Sequence, residues 1–156
     1  MSREYVTKEV EEIYKDKNFE EPLNLAMAAA WIMGNFKGLN LKILDLRESS
    51  SIADYFVIGS AGNPTQAAAM AEEISLQMRN LGIEALSREG LKHNTDWILL
   101  DYADVIIHVF HEPARSVYDL DQLYKNANVV EIPESYYFST PESARKGGND
   151  DGRNYF

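Results

Sequence analysis

The chain has 156 residues, no cysteine and a formal net charge of −10 at pH 7. Its length fits one domain with a substantial core, and its 45% hydrophobic content is typical of a globular chain. These totals exclude disulfides and thiolate metal sites, and no apolar run approaches the roughly 20 residues that cross a bilayer.

The distribution of charge indicates the kind of partner and compartment. Acidic residues are spread through the centre of the chain as well as its ends, and we find no basic cluster of the kind that neutralises nucleic-acid phosphates. A basic protein partner suits such a surface better. The first residues are charged and include acids, unlike a signal or transit peptide, so we expect a cytoplasmic protein.

Hydrophobic periodicity and capping residues predict alternating helices and strands. Pro22 is typical of a first helical residue, and Asn63 is typical of a helix cap. In chain order the predicted elements are a polar, appended or frayed helix at 3–17, an apolar helix at 22–38, strands at 41–46 and 55–59, a helix at 64–81, strands at 83–86, 97–100 and 105–110, and short helical pieces at 112–118 and 119–126.

This order predicts an α/β class domain with a single mixed β-sheet and helices packed on it. We divide the chain into a polar helical extension at 1–21, the α/β domain at 22–132 and a mobile tail at 133–156. The tail is predicted because the composition shifts there to Ser, Glu, Gly, Asn, Asp and Arg.

The stretch from Trp97 to Phe110 predicts a β-hairpin, because two apolar runs flank a four-residue connection. Asp101 and Asp104 bracket the turn, where Asp is favoured for local hydrogen bonding. His108 interrupts the second run. A histidine in a strand is usually a hydrogen-bonded structural residue, and the alternative is an interface residue on an accessible sheet face. Both interpretations stay open.

Two other features could carry chemistry. The loop Gly59–Thr65 precedes a helix N-terminus, which can hold an anion, but it matches no phosphate-binding motif and no nucleophile elbow, so we predict a turn with a helix cap. Solvent-exposed loop positions are expected for His93 and His111. A metal or acid–base site is conceivable from Asp45, Asp54, Asp101, Asp104 and His108. These residues form no tight ligand motif, and we expect no metal site and no cofactor.

Aromatic residues are concentrated after the hairpin begins, and Arg115 lies among them. Aromatic side chains and Arg dominate binding hot spots, so composition favours a protein-binding face over a catalytic cleft. The aromatic residues concerned are Trp97, Tyr102, Phe110, Tyr118 and Tyr124.

Four segments together resemble the RsfS/Iojap family of ribosomal silencing factors: ADYFVIGSAGN at 53–63, EGL at 89–91, WILLDYADVIIHVF at 97–110 and R-x-x-YDLDQLY at 115–124. The resemblance implies a mixed-sheet α/β domain distantly like nucleotidyltransferases, a homodimer when free, and a non-enzymatic role. It implies binding to the large ribosomal subunit through its ribosomal protein number fourteen, which blocks joining of the small subunit and lowers translation when nutrients are limiting. The family's binding surface maps onto Trp97, Ile98, Asp101, Tyr102, Asp104, His108, Arg115 and Tyr118.

This chain departs from the family pattern at two positions. Ala103 stands in the hairpin turn where Gly is common, which costs on the order of 1 kcal/mol if that position needs a positive φ. Tyr124 stands where Trp is common and keeps the aromatic area. The alternative function is a divergent nucleotidyltransferase or a metal-dependent phosphohydrolase. Gly59-Ser60 fits such a transferase, but the next predicted strand has no D-x-D pair to hold Mg²⁺.

Overall fold

A computed structural model describes residues 2–92 and 95–137, which form one mixed six-stranded sheet with helices. The helices are α1 (Arg3–Tyr14), α2 (Leu23–Asn35), α3 (Pro64–Asn80), α4 (Glu112–Tyr118) and α5 (Leu120–Leu123). The strands are β1 (Leu39–Asp45), β2 (Tyr55–Ala61), β3 (Ser87–Glu89), β4 (Trp97–Asp101), β5 (Val105–His111) and β6 (Asn128–Val130). The strand order is β3-β4-β5-β2-β1-β6, with β2 and β5 parallel and the other neighbours antiparallel. The predicted α/β class and mixed sheet are confirmed.

The two faces of the sheet are covered very differently. Because side chains alternate along a strand, β5 sends Val105, Ile107 and Val109 to one side, where they join the core beneath α1, α2 and α3. Its other side chains point to a second, smaller cluster, over which α4 and α5 are the covering helices within the described residues. We call this second side the open face. Its strand residues are Leu44, Phe56, Ile58, Trp97, Leu99, Ile106, His108 and Phe110.

Helix α2 lies at the centre of the covered side and is buried from Asn24 to Asn35. Its outer surface is closed by a short 3₁₀ turn, Glu134–Tyr136. A side chain at Gly34 would collide with the Tyr136 carbonyl, so glycine allows the two backbones to touch. The Asn35 amide donates to the same carbonyl at 3.2 Å.

The predicted tail therefore begins too early at residue 133. Tyr136 and Tyr137 are buried, and burial raises the pKa of each phenol to about 12. Two adjacent tyrosines supply enough apolar area to hold this segment against α2, although the surrounding composition resembles a linker. The rest of the predicted tail, residues 138–156, lies outside the described residues.

The N-terminal helix is packed rather than frayed. The Ser2 hydroxyl caps α1 by accepting from the Tyr5 N–H at 3.1 Å, and Val6 and Val10 are buried. Arg3 reaches Glu73 of α3 at 2.9 Å. Two apolar residues four apart lie on one helical face, and that narrow stripe is sufficient because it meets the apolar surface of α2.

Two edge strands differ from the sequence-based expectation. The strand predicted at 83–86 is wrong, because the observed β3 is Ser87–Glu89. Strand β6 lies at Asn128–Val130, where the sequence patterns predict no strand. Each of these strands is three residues long. Strand β3 is defined by its backbone pairing with β4, and β6 by its pairing with β1, and not by a hydrophobic pattern in the sequence.

Candidate functional site

The predicted hairpin is formed by β4 and β5, which pair in antiparallel register from Trp97 opposite Phe110 to Asp101 opposite Ile106. Ala103 in the turn has φ +71°, so this position does adopt the left-handed region. The Asp101 carboxylate accepts from the Ala103 N–H at 2.8 Å. Asp101 therefore stabilises the turn, as its residue type predicts, while the Asp104 side chain is exposed.

Six rings form a continuous aromatic patch on the open face. Trp97 lies 5.0 Å from Phe110 and 4.7 Å from Tyr118, measured between ring centroids. Phe56 lies 4.5 Å from His108 and 5.0 Å from Tyr124. The aromatic patch comprises Phe56, Trp97, His108, Phe110, Tyr118 and Tyr124. Tyr118 is 51% exposed, so it forms the outer layer of this patch.

His108 is a buried member of the patch, 3% exposed. Its Nδ1 accepts from the Trp97 indole Nε1–H at 3.1 Å, which assigns the neutral ring's hydrogen to Nε2. Burial, with a smaller contribution from the Arg115 charge, lowers its pKa to about 4. His108 is therefore neutral at pH 7 and orients Trp97, as the structural interpretation predicts.

Arg115 holds the two short helices onto the sheet. Its guanidinium donates to the Ser60 hydroxyl at 2.9 Å and to both Asp121 oxygens, at 2.9 and 3.2 Å. Lys42 lies 2.7 Å from the same carboxylate. Burial acts to raise the pKa of Asp121, but the hydrogen bonds and charges of Arg115 and Lys42 hold it well below its usual value.

This buried network changes the role assigned to Arg115. Each guanidinium nitrogen makes one hydrogen bond, so Arg115 positions α4 and α5 on the sheet. Tyr118, one helical turn after Arg115, is thereby placed against Trp97. The sequence did not reveal Lys42, Ser60 or Asp121 as members of this network, because they come from three separate elements.

The fold divides the eight predicted site residues into separate groups. Trp97, His108 and Tyr118 meet in the aromatic patch, with Arg115 beside them. Ile98 and Tyr102 are buried in the core on the helix-covered side. The two acids lie at the turn, about 13 Å along β4 from Trp97.

The residues of the other candidate sites make local structural contacts. The side chain of Asn63 caps α3 by accepting from the Gln66 N–H at 2.8 Å, which confirms the predicted turn with a helix cap. Asp45 pairs with Arg47 at 2.8 Å. His111 is partly exposed, 3.4 Å from Asp96, and His93 lies outside the described residues. Within residues 2–92 and 95–137, no three His, Cys, Asp or Glu side chains are grouped for metal binding.

A membrane span is likewise not found in this part of the chain: none of its helices combines the length and apolar character that crossing a bilayer requires.

Fold and site together define a single-sheet α/β domain with three helices on one face and an aromatic patch, held by two short helices, on the other. A sequence model of "RsfS: Ribosomal silencing factor during starvation" matches residues 17–154. The chain belongs to this family, which confirms the resemblance seen in the sequence.

Individual relatives agree with that assignment. The chain is 37% identical over 89 residues to "Ribosomal silencing factor RsfS" of Bacillus subtilis, covering 57% of this chain and 75% of the relative. It is 34% identical over 113 residues to the protein of the same name from Halalkalibacterium halodurans, covering 72% and 93%. A crystal structure of a Bacillus halodurans protein superposes with a TM-score of 0.60 at 31% identity, covering 72% of this chain and 98% of that one. The distant likeness to nucleotidyltransferases stays a prediction.

Proposed function

We propose that this chain is a ribosomal silencing factor that binds the large ribosomal subunit through ribosomal protein number fourteen. Bound there, it sterically blocks joining of the small subunit and represses translation when nutrients are limiting. The proposal includes a cytoplasmic location, a homodimer when free, and a non-enzymatic role. Membership of the silencing-factor family supports the biological role.

The observation that carries the binding proposal is the partly exposed Trp97–Tyr118 pair on the open face. The two rings lie 4.7 Å apart and are backed by Phe110 and His108, so their orientation is set before a partner arrives. Large aromatic side chains held rigidly lose little conformational entropy on binding, which is why they dominate hot spots.

Charge is the second support for a basic partner. The chain carries 25 acidic and 15 basic residues. Asp104 projects from the hairpin turn beside the more enclosed Asp101. An acidic surface attracts a basic ribosomal protein at long range and speeds encounter, while the aromatic contacts supply most of the affinity.

A subunit-joining assay tests the function directly. Purified small and large subunits are mixed with and without the protein, and whole ribosomes are separated by sedimentation. We expect fewer whole ribosomes in its presence, with one copy bound to each large subunit if the dimer face and the subunit face coincide. Equal formation of whole ribosomes would eliminate the silencing role, and two copies per subunit would eliminate the shared face.

Substitution of exposed tyrosines tests the binding surface with a matched control. Tyr118 is 51% exposed on the open face and Tyr5 is 47% exposed on α1. We expect Tyr118→Ala to weaken binding to purified large subunits about tenfold, or about 1.4 kcal/mol, and Tyr5→Ala to leave it within twofold. Trp97→Ala should cost roughly 2 kcal/mol or more if it is a hot spot. Equal binding by both tyrosine variants would remove the aromatic patch from the interface.

A further inference from the structure

Most of the large apolar side chains exposed in the described part of the chain lie on one side of the molecule. Val117 and Tyr118 belong to α4, Leu123 to α5 and Val129 to β6. Val129 pairs directly with Leu44, so its side chain points to the open face. Within residues 2–92 and 95–137, the other exposed large apolar side chains are those of Tyr5, Ile52 and Leu86.

The two short helices have apolar residues on both of their surfaces. Ala114 and Leu120 point inward to the small core, while Val117 and Leu123 point outward. Both helices also carry polar residues, but the outward Val117 and Leu123 side chains have no covering element among the described residues. A scattered exposed residue is ordinary, but a set on one rigid surface indicates a contact site.

This outer surface is also held in place. The Arg115 guanidinium donates to Ser60 of β2 and to Asp121 of α5, so one buried side chain ties both helices to the sheet. A surface that is fixed before contact loses less conformational entropy when it binds than a flexible segment does. The exposed Val117 and Leu123 side chains are therefore suited to specific contact.

We propose that the outer surface of α4, α5 and β6, formed by Val117, Leu123 and Val129, is a second contact region for the basic large-subunit protein. The inference rests on the proposed function, and it extends the binding surface beyond the hairpin. The occupant is an apolar surface segment flanked by Lys or Arg.

The charges around this surface fit that occupant. Four carboxylates lie between residues 112 and 131, against Arg115 and Lys125. Arg115 is buried, and both it and Lys42 contact Asp121, which leaves two exposed acids, Asp119 and Glu131, against one exposed base, Lys125. Apolar contacts bordered by these acids favour a partner whose apolar segment carries positive charges next to it.

Two leucines provide a matched test. Leu123 is 70% exposed on α5, and Leu86 is 72% exposed just before β3. Each is replaced by Ser, and binding of the full-length variants to purified large subunits is measured alongside wild type and Tyr118→Ala. We expect Leu123→Ser to bind at least fivefold more weakly and Leu86→Ser to stay within twofold. Because both side chains are exposed, circular dichroism and the urea midpoint should match wild type for both variants.

The outcomes separate the inference from the function on which it rests. If Leu123→Ser binds like wild type while Tyr118→Ala is weakened, the second contact region is refuted and the proposed function stands. If wild type itself does not bind, both fall. If Leu123→Ser changes only the self-association of the free protein in analytical ultracentrifugation, a second copy of the chain occupies this surface and the inference is overturned.

Discussion

Mild acid should destabilise the fold through His108. The neutral ring is buried and accepts a hydrogen bond from the Trp97 indole, and the Arg115 charge opposes its protonation. Its pKa is lowered from 6.5 to about 4 in the folded chain. Since the unfolded chain binds this proton first, stability that is present above pH 6.5 is lost as the pH falls from 6.5 towards 4.

The structure sets the size of this effect. Between pH 7 and pH 4.5, differential protonation of His108 should lower the free energy of unfolding by about 2 kcal/mol. Carboxylates also begin to titrate over this interval, so the contribution of the imidazole is taken from the comparison with a variant that lacks it. His108→Gln keeps a hydrogen-bonding side chain but removes the ionisable ring, so the variant should lose about 2 kcal/mol less than wild type over the same interval.

Urea unfolding followed by tryptophan fluorescence at both pH values measures the difference. An NMR titration of the His108 ring in the folded protein gives the folded pKa independently. The reasoning is refuted if wild type and His108→Gln lose the same stability on acidification. It is equally refuted if the His108 ring titrates near 6.5 in the folded chain, because the ring would then be accessible to water.

Two further stability predictions follow from the turn and from the buried network. Ala103→Gly should raise the free energy of unfolding by about 0.5–1 kcal/mol. The φ of +71° strains Ala, and Gly removes that strain, although Gly also adds some entropy to the unfolded chain. Thermal unfolding of Ala103→Gly should show a higher midpoint, whereas Ala→Gly at the exposed helical Ala69 should lower the midpoint. Asp121→Asn should cost about 2 kcal/mol in urea unfolding at pH 7, because it leaves the buried Arg115 without its anion. The more exposed ion pair of Asp45 is the control, and an equal loss from Asp45→Asn would count against the network.

The candidate site was only partly predictable from sequence. Residue type and family resemblance indicate Trp97, His108 and Tyr118, and the fold brings these three side chains together. Strand alternation could already have separated Ile98 from Trp97, since adjacent residues of a strand point to opposite faces. The buried network could not be foreseen, because Lys42, Ser60 and Asp121 have no pattern in the sequence that connects them.

Local signals were reliable where a physical constraint acts within a few residues. The Asn63 side chain caps α3 and the two apolar runs pair as a hairpin, because capping and strand pairing across a short turn are local. Packing between residues that are far apart in the chain was harder to predict from the sequence. Tyr136 and Tyr137 lie in a polar, linker-like segment, yet both are buried, and the Tyr136 carbonyl lies against Gly34, about a hundred residues earlier.

The amino-acid sequence by itself determined the α/β class, the main helices and strands, the hairpin and the family. Periodicity, helix caps and ordered motifs each depend on residues that lie close together in the sequence, so they can be recognised without the tertiary structure. Only the tertiary structure decided which face of the sheet is open, that Arg115 is a buried support and that His108 is a neutral partner of Trp97. Those properties depend on which distant elements cover each strand, and burial and charge environment arise only from that arrangement.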